Sequence, residues 1–217
     1  MPRIFLKARD PISSYSHFIG AGLSVLGLAV MILHLAVSGP VSLMTVISTL
    51  LFCLSLIALY SASGFYHFSR ASAHIIALLR KLDHAMIYVL IAGTYTPVLL
   101  NLLPPTKAIL FTSAIWAVAL GGIVMKLCWI NAPRWLGTSL YLLLGWAILI
   151  DLPAVGTLPA PGIALLLAGG LCYTFGGVIY MLKHPNFSKT FGFHELFHIF
   201  VILGSMFHYF MVLFFIA

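Results

Sequence analysis

Acidic residues are nearly missing from this chain: Asp10, Asp83, Asp151 and Glu195 are the four acids in 217 positions, and charged residues of both signs make up 7%. Ordinary soluble domains carry about 25% charged residues, so a soluble globular protein is excluded. A disordered chain is excluded as well, because disorder needs low hydrophobicity and high charge, and 62% of these residues are hydrophobic. Cysteine is scarce. Cys53, Cys128 and Cys172 each fall in an apolar segment and form no C-x-x-C pair, which argues against a disulfide framework or a thiolate zinc site; they read as small buried hydrophobes. There is no basic stripe either. The net charge of +7 comes from Lys and Arg placed singly between apolar runs, so no nucleic acid is expected as a partner. Internal repeats and low-complexity segments are absent, and no cleavable signal peptide is evident, because the first apolar run, 18–37, is longer than a signal h-region and lacks a small-residue cleavage pattern.

What the chain does have is long apolar runs. Read between charged or Pro/Gly punctuation, they predict helices at 17–37, 41–68, 82–101, 107–128, 136–152, 161–183 and 192–216, each near the length that crosses a bilayer. The expected fold is all-α: a polytopic membrane protein with one seven-helix transmembrane domain, 17–217, after a short basic N-terminus, 1–16. Cytoplasmic loops carry the excess of Lys and Arg. Ten of the eleven positive residues (Arg3, Lys7, Arg9, Arg70, Arg80, Lys81, Lys126, Arg134, Lys183 and Lys189) fall on one side and only Lys107 on the other. That predicts a cytoplasmic N-terminus, an outside C-terminus and a multi-pass cell-membrane location. Gly169, Gly170, Gly176 and Gly177 repeat at seven residues, as close helix packing in lipid wants. Pro97 is expected to kink the third span, which neighbouring helices tolerate.

Ionisable side chains inside membrane spans are costly and mark functional sites by default. Here they cluster by depth. The second span carries Ser63 and His67 near its cytoplasmic end, the third carries Asp83 and His84 in its expected first turn, and the seventh carries His194, Glu195 and His198 in its first two turns. His194 and His198 are four apart, so they stack on one helix face and can grip one metal ion. His67 adds a third nitrogen, leaving the fourth position of a tetrahedral zinc for water, the layout of a catalytic site. Asp83 can hold or deprotonate that water, and Ser63, one turn before His67, can support the carboxylate or the water. Zinc polarises a carbonyl and acidifies its water, which suits amide or ester hydrolysis; iron or another imidazole-compatible ion stays open. The plainer alternative is a set of buried histidines satisfied by one another and by water. His17 can reach this vestibule, His208 lies roughly 15 Å further along its helix, and His34, His74 and His184 read as solvated. Asp151 is expected at an outer helix end, where a charge costs little. Tyr88, Tyr95, Trp116, Trp129, Trp135, Tyr141 and Trp146 read as packing or interface anchors.

His194-Glu195-Leu196-Phe197-His198 fits H-E-x-x-H, the zincin pattern with Glu as general base, so an intramembrane metalloprotease is one candidate. A wider resemblance rests on S-G-F-Y-H at 63–67, D-H-A-M-I-Y-V-L-I-A-G-T-Y-T-P at 83–97 and H-E-L-F-H-I-F-V-I-L-G-S-M-F-H-Y at 194–209. Together these resemble the hemolysin III family, related to the progestin and adipoQ receptors and more distantly to alkaline ceramidases. The resemblance implies zinc held by His67, His194 and His198, Asp83 acting through water, Ser63 beside it, and a structural or vestibule role for Glu195. Unlike the receptors, this chain has only a short segment before its first span. The leading expectation is a zinc-dependent hydrolase of a membrane lipid amide or ester. The alternatives are a non-enzymatic homeostasis or receptor-like protein with structural zinc, and a cytolytic pore. The sequence leaves the oligomeric state open.

Overall fold

A computed structural model describes residues 7–188 and 190–217. Arg3 and Lys189, both counted for sidedness above, lie outside the described residues. The described chain is all-α: α1 (Pro11–Val37), α2 (Leu43–Phe68), α3 (Ala73–Leu102), α4 (Pro105–Cys128), α5 (Arg134–Gly145), α6 (Leu152–Val155), α7 (Ala160–Leu182) and α8 (Phe193–Phe215). Six of these helices, all but α5 and α6, are long and apolar enough to cross a membrane. Helix α1 packs on α2, α2 on α3 and α3 on α4; α5 bridges to α7, α7 packs on α8, and α8 closes back on α1. The result is a closed ring. Its outward faces carry exposed aliphatics such as Leu26, Leu33, Leu110, Val118 and Leu171, which a bilayer covers and water does not.

Several expectations change. Helix α3 starts at Ala73 rather than 82. Hydropathy ends at Arg80 and Lys81, but neither breaks a helix: both are good helix formers, and their long stems let the charge reach the interface while the backbone continues. Asp83 and His84 therefore sit about three turns inside the helix, not in its first turn. Helix α1 likewise starts at Pro11, a residue suited to a first helical position, so the expected N-terminal segment 1–16 loses its last residues to the first helix.

The expected fifth span, 136–152, is broken. Twelve residues of α5 are followed by a 3-10 segment, Ala147–Asp151, and by the short α6. Tyr95 of α3 stands in for the interrupted ladder: its hydroxyl donates to the Gly145 carbonyl at 2.7 Å and accepts the Ile148 N–H at 2.9 Å. Irregular backbone at membrane depth survives only where protein satisfies it. The aromatic read as an anchor is a splint.

The glycine pairs of α7 divide their work. Side chains at Gly169 and Gly176 would strike His208 and Phe200 of α8, whereas one at Gly177 would press on Leu142 and Thr138 of α5. One seven-residue repeat thus admits two neighbours, as small residues at lipid-embedded interfaces do. Asp151, expected at a helix end where a charge costs little, is 4% exposed and paired with Lys107. Cys128, expected to be buried, is exposed at the end of α4.

Candidate metal centre

The polar cluster forms where α1, α2 and α8 meet. Residues just before α1 are strapped across the end of α2: Asp10 N–H donates to the His67 carbonyl at 3.0 Å, and Arg70 donates to the Ala8 carbonyl at 2.8 Å. Arg9 lies over the Tyr66 ring at 4.5 Å. On α8, Glu195 caps its own helix by accepting the Gly192 N–H at 2.9 Å, and its other oxygen accepts from Ser13 of α1 at 2.9 Å. With both oxygens engaged in capping and cross-linking, Glu195 is a structural residue. That agrees with the role the resemblance implied for it and leaves the H-E-x-x-H pattern without its base.

His67 and His198 are 3% and 2% exposed, and His194 is half-buried. One ring nitrogen from each of the three lies within 4.8 Å of the others, a group that can hold a metal ion. The ring centroids are 5.0 Å apart for His67 and His194, 5.0 Å for His67 and His198, and 4.6 Å for His194 and His198. Asp83 is not in that tight group; it lines the cavity beside it.

The position of the proton on His67 follows from its partner. Its Nδ1 is 3.0 Å from Asp10 Oδ2. That hydrogen bond, helped by Arg9, holds the Asp10 carboxyl below its ordinary range despite partial burial. An ionised carboxylate only accepts, so Nδ1 carries a hydrogen, and the neutral imidazole that a metal requires then has its lone pair on Nε2. Nε2 faces His194 Nε2 at 3.3 Å. Two nitrogens at ordinary zinc bond lengths and a tetrahedral angle stand roughly 3.3 Å apart. The imidazole–carboxylate pair is also the usual way a metal-bound histidine is oriented. On chemistry and spacing, the residues fit a metal.

Around this group, His17 stacks on His198 with centroids 3.7 Å apart and planes 12° apart. The reading that His17 can reach the vestibule holds. Asp83 pairs with His84 at 3.5 Å and also faces Ser63. His84 Nδ1 lies 2.9 Å from the Arg80 carbonyl, and Tyr141 donates to the His84 carbonyl at 3.0 Å. A cavity of about 150 Å³ begins at His194, His198, Ser63 and Asp83 and runs between Leu59, Ile87, Leu90, Ile91, Leu142 and Val201 to Trp146 and His208. Its walls are mainly aliphatic and aromatic. Tyr95, Tyr141 and Trp146, read as anchors, line it.

Sequence reasoning missed Asp10. The available signal was scarcity: with four acids in the chain, each deserved a partner. The structure supplies one to all four: His67 for Asp10, His84 for Asp83, Lys107 for Asp151, and Gly192 with Ser13 for Glu195.

A family model described as Haemolysin-III related matches residues 5–209. A protein named Hemolysin-3 homolog, from Bacillus subtilis (strain 168), is 36% identical over 213 residues, covering 98% of this chain and 96% of that protein. Hemolysin-3 of Bacillus cereus is 34% identical over 218 aligned positions, covering 100% of this chain and 96% of that protein.

Proposed function

The chain belongs to the haemolysin-III related family, and from that membership and the three-imidazole group we propose that it is a zinc-dependent hydrolase of a membrane lipid amide or ester. The single observation that carries the reading is the His67 geometry, with Nδ1 bound to Asp10 and Nε2 3.3 Å from His194 Nε2. His67, His194 and His198 would hold the zinc, with Asp10 orienting His67. Zinc bound there supplies Lewis-acid polarisation of a carbonyl and lowers the pKa of water toward about 7. Asp83, its carboxylate fixed by Ser63 and His84, would orient a water at this corner and take its proton. The aliphatic cavity leading away from this corner suits an acyl chain, which makes a lipid the favoured substrate class.

The topology belongs to the same proposal. Helix α5 and the 3-10 segment span about 18 Å and about 10 Å, together close to the roughly 30 Å of a hydrocarbon core. They make a seventh crossing. The metal corner then lies on the cytoplasmic side, with the N-terminus inside and the C-terminus outside.

Turnover of labelled amide and ester lipids by protein in nanodiscs tests this reading. Wild type cleaves one of the two classes, and Asp83→Asn keeps its metal but loses turnover. A metal-loaded wild type inert toward both classes, or an Asp83→Asn variant as active as wild type, refutes it. A second reading, in which the metal only staples helices, is favoured by the strap that ties residues 8–10 to α2; it predicts that His67→Ala lowers thermal stability while Asp83→Asn is silent. The two Bacillus relatives carry a haemolysin name. A lytic pore here predicts solute leakage from liposomes independent of Asp83.

A further inference from the structure

Lys126, in the last turn of α4, is 4% exposed. Its ammonium sits over the Tyr141 ring at 5.7 Å and against Gly137 of α5, where a side chain would collide with it. It makes no ion pair among the described residues, and Arg80 of α3 adds a second positive charge to its surroundings. A buried cation needs a counter-charge. The chain has none to give, since all four acids are described and each is engaged elsewhere. A counter-ion for Lys126 would have to come from outside the chain.

The surroundings indicate its source. Helix α5 begins beside Lys126 behind Pro133, and no side chain caps its first turn; free amides at a helix start attract anions. Trp129 and Trp135 flank the place and are 51% and 60% exposed, as tryptophans at headgroup level are. Basic pockets between spans on the cytoplasmic side take anionic lipid headgroups. Lys126 lies on that side by the positive-residue distribution.

We propose that Lys126, Arg80 and the first turn of α5 form a binding site for the phosphate of an anionic phospholipid headgroup, between α4 and α5. The site is separate from the imidazole corner and independent of the hydrolase reading. A bound headgroup joins α4 to the short, irregular α5.

Native mass spectrometry of detergent-purified protein with added phosphatidylglycerol or phosphatidylcholine tests the proposal. Wild type retains phosphatidylglycerol severalfold better than phosphatidylcholine. Lys126→Met, which keeps an apolar stem, brings the two to parity, and Lys126→Arg restores most of the preference. Arg80→Gln, at a half-exposed position, lowers it in part and gives a reading that does not depend on how the Lys126 variant folds. An unchanged preference in both Lys126→Met and Arg80→Gln overturns the site. A Lys126-dependent rise in Tm with inorganic phosphate alone, as large as with phosphatidylglycerol, overturns the lipid assignment.

Discussion

The two ends of the bundle handle buried charge in opposite ways. At one end Asp151 meets Lys107, one negative group against one positive, and the pair is complete in itself. At the other end three imidazoles converge: Asp10 accepts a hydrogen bond from Nδ1 of His67, and the opposite ring nitrogen, Nε2, faces His194. A complete pair holds helices together and asks for nothing more. A surplus of donors converging on one point asks for a cation, which separates a structural contact from a site.

Removing imidazoles has the largest expected effect. His67→Ala, or His194→Ala with His198→Ala, abolishes metal binding, and elemental analysis falls from near one zinc per chain to none. Asp10→Asn comes next. It keeps the three nitrogens but loses the charged partner of His67, and zinc affinity measured by chelator competition falls roughly 10- to 100-fold.

At the other end, Lys107→Met leaves the buried Asp151 carboxylate alone and costs about 2 kcal/mol in denaturant titration. That is below the roughly 3–5 of a fully buried pair because Lys107 is itself half-exposed. Asp151→Asn leaves only an exposed cation and costs less. If the two substitutions cost the same, the pair is not the self-contained contact described here. Tyr95→Phe has the smallest effect, about 1 kcal/mol for the hydrogen bonds it removes, and hydrogen exchange quickens at Ile148 without reaching the imidazole corner.

Much of the corner was legible in the sequence. His194 and His198 announce themselves by helical spacing, and the positive residues set the depth at which His67 joins them. Asp10 was not legible, because no periodicity links it to a residue 57 positions away; the link exists only once the chain before α1 folds across α2. The start of α3 was missed for another reason. Apolar runs report where lipid ends, and the helix carrying Arg80 and Lys81 continues past that point. The break after α5 was hidden because Trp146–Asp151 is almost as apolar as a true span, and its partner Tyr95 lies on another helix. Lys126 was read as a topology signal, and only its burial shows that it lacks an acid.

X-ray absorption at the zinc edge, on protein purified without added chelator, reads the ligands of the imidazole corner themselves. A three-imidazole site gives zinc with three histidine nitrogens at about 2.0–2.1 Å and a nitrogen count that drops in His67→Ala. Protein that is stably folded but free of zinc, or zinc whose ligand shell is unchanged by His67→Ala, contradicts it.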